Sequence, residues 1–236
     1  MRKLIVANYK MNGNKKLFAD IVKKINKYKV KDTKIVLCPP FVYLDEFKIK
    51  SNSVFLGCQD ITNIDNSKST GQISPNMLHE FSVKYVIVGH SERRSLGEND
   101  ELINEKVHVC INNDLMPIIC VGEKKKSDKL DAVLTQIQSA LKGIEKSYVP
   151  IIAYEPVWAI GTGKLPTVSR INKVADMIRS YISDLGYKNS VVLYGGSVSA
   201  QNYDEIINAN IDGLLLGGVS LKFDEFIEIV KGIDHV

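Results

Sequence analysis

Glu155 ends the apolar run Val149-Pro150-Ile151-Ile152-Ala153-Tyr154. A carboxylate at the end of such a run sits beside a buried strand, and a partly dry carboxylate is a stronger base. An ion-paired structural glutamate would fit the same run. His90 follows Val86-Ile87-Val88-Gly89 and precedes Ser91-Glu92, which reads as a helix start. The positive end of a helix disfavours imidazolium, so a neutral, proton-donating imidazole is expected there; a hydrogen-bonded core histidine is the plainer reading. Lys10 lies just beyond the first apolar run, after Asn8 and Tyr9. A cation in that place is expected to meet an anion, unless it is simply a solvated surface lysine. Two glycine pairs, Gly195-Gly196 followed by Ser197 and Gly217-Gly218, leave backbone N–H groups open to a closely approaching anion, although tight turns use such pairs too. Residues 156–164, Pro-Val-Trp-Ala-Ile-Gly-Thr-Gly-Lys, have the composition of a hinged lid. An apolar loop is costly in water unless it closes over something, and closure would shield a reactive intermediate from water.

These residues need elements to hold them. Eight short apolar runs read as buried strands: Leu4–Ala7, Ile35–Cys38, Val54–Cys58, Tyr85–Gly89, Ile118–Val121, Val149–Tyr154, Val191–Tyr194 and Gly213–Leu216. They are continuous rather than alternating, as parallel strands covered on both faces are. Helical stripes lie between them. Leu130, Val133, Leu134, Ile137, Leu141 and Ile144 repeat at helical spacing, and so do Ile171, Val174, Ala175, Ile178, Ile182 and Leu185; Phe18, Ile21, Val22, Ile25 and Phe223, Phe226, Ile227, Val230 are shorter versions. Alternating strand and helix imply right-handed crossovers and a parallel sheet. Eight units of about 30 residues, with no run that looks like an edge strand, fit a closed (β/α)8 barrel. No linker or composition break divides the chain, so residues 1–236 are expected to form one α/β barrel domain. In such a barrel the C-terminal strand ends carry chemistry, and Asn8, Lys10, His90, Glu155, Gly161, Ser197, Gly217 and Gly218 all stand at or beyond them.

Composition narrows the function. Lys and Arg number 31 against 27 Asp and Glu, a net charge of +4, and the basic residues are spread along the chain; nucleic acid is therefore not expected as the partner. No apolar run approaches the ~20 residues of a membrane span, and Leu4–Ala7 is too short for the core of a signal peptide. Cys38, Cys58, Cys110 and Cys120 show no paired or metal-finger spacing, and three of them sit in apolar runs, which suits reduced thiols in the cytoplasm. His79, His108 and His235 share no ligand spacing, so no metal site is expected. Arg93 and Arg94 read as structural ion-pair partners and Cys120 as packing.

The sequence resembles the triosephosphate isomerase family. The matching segments are 7–12 (Ala-Asn-Tyr-Lys-Met-Asn), 88–94 (Val-Gly-His-Ser-Glu-Arg-Arg), 153–164 (Ala-Tyr-Glu-Pro-Val-Trp-Ala-Ile-Gly-Thr-Gly-Lys), 194–198 (Tyr-Gly-Gly-Ser-Val) and Gly217-Gly218. They occur in the family's order and run from end to end. The resemblance implies interconversion of dihydroxyacetone phosphate and D-glyceraldehyde 3-phosphate, in glycolysis and gluconeogenesis, through a cis-enediol(ate). It gives Glu155 the role of base and His90 that of electrophile. Lys10 counters substrate and transition-state charge with Asn8 beside it, and Gly161, Ser197, Gly217 and Gly218 contact the phosphate. It implies no metal and no organic cofactor. It also implies a cytoplasmic homodimer joined through the 60–73 loop, whose tip Ser69-Thr70-Gly71-Gln72 would face the partner; Gln72 stands where the family has Glu. Two other readings are an inactive barrel kept as a scaffold, which would have no reason to keep Glu155, His90 and Lys10 together, and a different phosphosugar-binding barrel, which would share the glycine turns but not the 155–163 segment.

Overall fold

The computed structural model describes residues 3–64, 68–162 and 165–234. Eight parallel strands close into a barrel in sequence order: β1 (Lys3–Asn8), β2 (Thr33–Cys38), β3 (Val54–Cys58), β4 (Val83–Val88), β5 (Met116–Val121), β6 (Ile151–Tyr154), β7 (Val191–Tyr194) and β8 (Gly213–Leu216). Closure comes from pairing of β1 with β8, Leu4 opposite Gly213 through Ala7 opposite Leu216. Five of the eight expected strands shift at their ends. The largest change is in β4, which gains Val83 and Lys84 and stops before Gly89; β6 starts two residues later than the apolar run because Val149 is exposed and Pro150 has no N–H to pair.

Strand residues alternate between two environments. Leu4, Val6, Val36, Cys38, Tyr85, Ile87, Ile118, Cys120, Ile151, Ala153, Leu193 and Leu215 pack together inside the barrel, while their neighbours Ile5, Ala7, Ile119, Ile152 and Leu214 face the surrounding helices. The period of two carries past the strand ends. Asn8 continues the phase of Leu4 and Val6, Glu155 that of Ile151 and Ala153, Gly195 that of Leu193, and Gly217 that of Leu215. These residues are therefore delivered to the top of the lumen by strand geometry alone.

The covering layer is α1 (Lys15–Ile25), α2 (Pro75–Glu80), α3 (Ser91–Ser95), α4 (Asp100–Asn112), α5 (Asp131–Ala140), α6 (Val168–Asp184), α7 (Tyr203–Ile207) and α8 (Phe223–Asp234). Side chains cap several of them in the expected way: Asn14 accepts from the Leu17 N–H, Ser74 from Met77, Asn99 from Leu102 and Thr167 from Arg170. The alternation is less strict than the sequence suggests. The β2–β3 crossing has only a 3₁₀ turn over Phe41–Glu46, after Pro39-Pro40 has fixed the chain's direction, whereas the β4–β5 crossing has both α3 and α4. The stripe from Leu130 to Ile144 is α-helical only over Asp131–Ala140.

Candidate active site

Glu155 follows β6, and its backbone is locked to the neighbouring strand: its N–H donates to Val121 O at 2.7 Å. Gly122 lets this happen, since a Cβ there would lie 1.8 Å from Glu155 O; Gly195 makes room for the side chain, where a Cβ would be 3.0 Å from Glu155 Cγ. The carboxylate is 4% exposed. Its Oε1 lies 3.2 Å from His90 Nε2, and its Oε2 accepts from the Ser91 N–H at 3.3 Å.

His90 is 5% exposed and caps α3, with Nδ1 accepting from the Glu92 N–H at 3.2 Å. An Nδ1 that accepts carries no proton, so the ring holds its proton on Nε2, facing Glu155. Burial pushes the imidazole pKa down and the Glu155 carboxylate pushes it up; the sum is a raised value. The helix start read from the sequence is present as α3, five residues long, and the Glu155 carboxylate that faces the ring is the main upward influence on it. The Glu92 N–H still favours the neutral ring, because a second proton on Nδ1 would have to break that bond. A group that separates Glu155 from His90 weakens that carboxylate's upward push and so moves the balance toward neutral imidazole.

Lys10 has φ +50°, in the left-handed region that is uncommon for a residue with a side chain. Two hydrogen bonds hold it there: its N–H donates to Asn8 Oδ1 at 3.0 Å, and its carbonyl accepts from Gln59 Nε2 at 2.9 Å. Gln59 Nε2 also donates to Cys38 O. The ammonium reaches Glu92 Oε1 at 2.6 Å, and the stem passes Gly217, whose added Cβ would touch Lys10 Cε at 3.6 Å.

All eight residues singled out in the sequence, Asn8, Lys10, His90, Glu155, Gly161, Ser197, Gly217 and Gly218, line one cavity of about 540 Å³. The Ser197 hydroxyl is turned to the lid, donating to Ala159 O at 2.7 Å. The lid begins with a 3₁₀ turn at Val157–Ala159 and reaches Gly161 at φ +66°; Gly163 and Lys164 lie outside the described residues. Its apolar residues are less exposed than expected, Ala159 being fully buried. Trp158 Nε1 donates to Glu123 Oε1, which also accepts from Tyr154 Oη and Arg170 Nη2. Cys120 lies under Glu155; burial and that carboxylate push its thiol pKa well up, which suits packing rather than reactivity. Arg93 pairs with Asp60 and Glu98, and Arg94 with Asp100, away from the cavity.

Three contributors were not singled out in the sequence: Gln59, Glu92 as the partner of Lys10, and Glu123 under the lid. Gln59 directly follows β3, so the rule that strand ends carry chemistry points to it as well. Asn12 and Asn202 also line the cavity. Among the described residues, no group of three His, Cys, Asp or Glu could hold a metal ion, and no helix is long and apolar enough to cross a membrane.

A family model described as triosephosphate isomerase matches residues 3–233. The chain belongs to the triosephosphate isomerase family. Relatives carrying that name include one from Thermoanaerobacter sp. (strain X514), 41% identical, with 98% of this chain and 99% of the relative covered. Another, from Dehalococcoides mccartyi (strain CBDB1), is 40% identical with 98% and 96% covered. A third, from Francisella philomiragia subsp. philomiragia, is 37% identical with 100% and 99% covered. Family membership and cavity coincide: the segments that carry the resemblance are those whose residues converge on the top of the barrel.

Proposed function

We propose that this chain interconverts dihydroxyacetone phosphate and D-glyceraldehyde 3-phosphate, as a single-domain barrel enzyme of glycolysis and gluconeogenesis. The supporting observation is the meeting of Glu155 Oε1 and His90 Nε2 at 3.2 Å in a cavity shared with Lys10 and the glycine turns. A small substrate held between the two groups presents a C–H beside a carbonyl. Glu155 takes that proton, and the C–H electron pair becomes the C=C bond of a cis-enediol(ate) as the carbonyl electrons move to oxygen. His90 Nε2–H hydrogen-bonds this oxygen and moves protons between the two oxygens. Glu155 then returns its proton to the neighbouring carbon, so that the overall change is an isomerisation. The Lys10 ammonium offsets negative charge that grows in the transition state. Gly161, Ser197, Gly217 and Gly218 seat the phosphate; for Ser197 this requires its hydroxyl to turn from Ala159. These steps call for a base, an acid and a dry site, without a metal or an organic cofactor.

The active form is a cytoplasmic homodimer joined through the 60–73 loop. Support for the dimer comes from exposed apolar side chains. Met11, Val42, Ile64, Met77 and Leu96, five of the six large ones among the described residues, lie on or beside the connections after β1, β2, β3 and β4, which are adjacent strands. The described residues of the loop are held by specific contacts: Thr62 N–H donates to Ile73 O, Gln72 N–H to Ser69 O, and Asp60 pairs with Arg93 and Lys106. Residues 65–67 lie outside the described residues. Four buried free cysteines fit a reducing compartment. A coupled isomerisation assay on purified protein, with and without a phosphoglycolate-type anion, tests the activity. Turnover with competitive inhibition is expected; no turnover with either triose phosphate would refute the proposal.

A further inference from the structure

Lys126 lies on the exposed β5–α5 connection, within Lys124-Lys125-Lys126, and takes no part in the chemistry above. Its ammonium nevertheless stands 5.5 Å from the centre of the Trp158 ring. We infer that Lys126 is a positioning residue for the lid, acting through a cation–π contact with Trp158.

The case starts from what else holds the tryptophan. Its Nε1–H donates to Glu123 Oε1 at 2.9 Å, and the Arg170 guanidinium carbon lies 5.7 Å from its ring centre. Those two partners are fixed: Glu123 is 1% exposed beside β5, and Arg170 stands in the first turn of α6 and is itself bonded to Glu123. They fix the edge of the indole and supply one cation. Lys126 supplies another from the solvent side, so the ring is the meeting point of the β5 and β6 loops. Indole is the best cation–π acceptor among the side chains, and 5.5 Å is within the ~6 Å range of the effect. Among the described residues no carboxylate forms an ion pair with Lys126, so no anion competes with the ring for its charge. Trp158 is the second residue of the lid's 3₁₀ turn, whose next residue, Ala159, accepts the Ser197 hydroxyl, and Ile160 and Gly161 beyond it wall the cavity. Holding the ring therefore anchors the entering end of the lid and leaves bending to the Gly161 end.

This inference deepens the isomerase reading, in which the lid covers the substrate, but its test does not need turnover. Trp158 is the only tryptophan of the chain, so its fluorescence reports this contact without interference. The experiment measures emission and acrylamide quenching of the purified full chain, of Lys126→Met, which keeps a long apolar stem without the charge, and of Lys126→Arg. The expected result is a red-shifted, more readily quenched Trp158 in Lys126→Met, with the undocked fraction raised about two- to five-fold, as the loss of an exposed cation–π contact implies. Lys126→Arg should restore the parent values. Parent-like emission and quenching in Lys126→Met would overturn the inference, and so would a Lys126→Arg variant that behaves like Lys126→Met, since charge would then not be the agent. A chain that shows the expected fluorescence pattern but does not isomerise triose phosphates would lose the proposed activity and keep the role of Lys126.

Discussion

At the scale of single residues, the site is a set of opposed pulls on a few polar groups. His90 is buried, which favours its neutral form, yet it faces a carboxylate, which favours the charged one; the Glu92 N–H aimed at Nδ1 keeps the acidic proton on the side where Glu155 and a substrate would be. Replacing His90 by Gln retains a donor of similar reach but not an imidazole. Steady-state kinetics of His90→Gln should show a fall in kcat that exceeds any rise in KM, because a polarising contact strengthens in the transition state; a change in KM alone would remove His90 from the chemistry. Lys10 is held in a left-handed backbone conformation by Asn8 and Gln59, and its ammonium now rests on Glu92. Removing a charged hydrogen-bonding group costs about 1.5–3 kcal/mol. Titration calorimetry with a phosphoglycolate-type anion should therefore find Lys10→Ala weaker by roughly ten- to a hundredfold, and unchanged binding would mean that Lys10 does not meet the anion.

At the scale of elements, the position of each functional group follows from strand phase and from the turns that end the strands. Gly122 sits where a side chain would collide with the Glu155 carbonyl, and the clash is with backbone rather than with a movable side chain. Gly122→Ala should lower stability by about 1–3 kcal/mol, the usual cost of overpacking, and should reduce turnover by displacing the base; denaturant unfolding and an activity assay on one preparation measure both effects. Stability equal to the parent's would show that β5 and β6 have slack at this point. The same logic explains what could be read from the sequence. Continuous apolar runs marked all eight strands because each is buried on both faces, and residues just past the runs marked the site because the barrel gathers those ends. Glu92 and Glu123 carry no such mark because each acts on another residue, on the Lys10 ammonium and the Trp158 indole in turn, whereas Gln59, which holds the Lys10 carbonyl, stands at a strand end like the other site residues. Contacts between separate loops leave no periodic signal in a chain. The influence of Glu155 on His90 is hidden for a related reason: the local helix start is visible in the sequence, whereas the carboxylate 65 positions later is adjacent only once the barrel has closed.

At the scale of the whole molecule, apolar exposure is uneven. Met11 is 96% exposed and Leu96 78%, on connections beside the strands that deliver Lys10 and His90. Burying such side chains stabilises by about 25 cal/mol per Å² of apolar surface, and a second copy of the chain offers a surface that would do so. Sedimentation should find a dimer for the parent chain, and the pair Met11→Glu, Leu96→Glu should shift it to monomer by placing charges in the contact. A double variant with unchanged mass would move the interface elsewhere. If the dimer forms as proposed, dissociation should also cost activity, since Met11 directly follows Lys10.

The central claim is proton transfer by Glu155 at a carbon beside a carbonyl. It is tested most directly by following deuterium uptake from heavy water into dihydroxyacetone phosphate and its product by NMR, for the parent chain and for Glu155→Gln. Isomerisation with solvent deuterium entering at the carbon that gains the proton, slowed by at least about 10²–10⁴-fold in a correctly folded Glu155→Gln, is the predicted result. Exchange and isomerisation in Glu155→Gln at nearly the parent rate would contradict it.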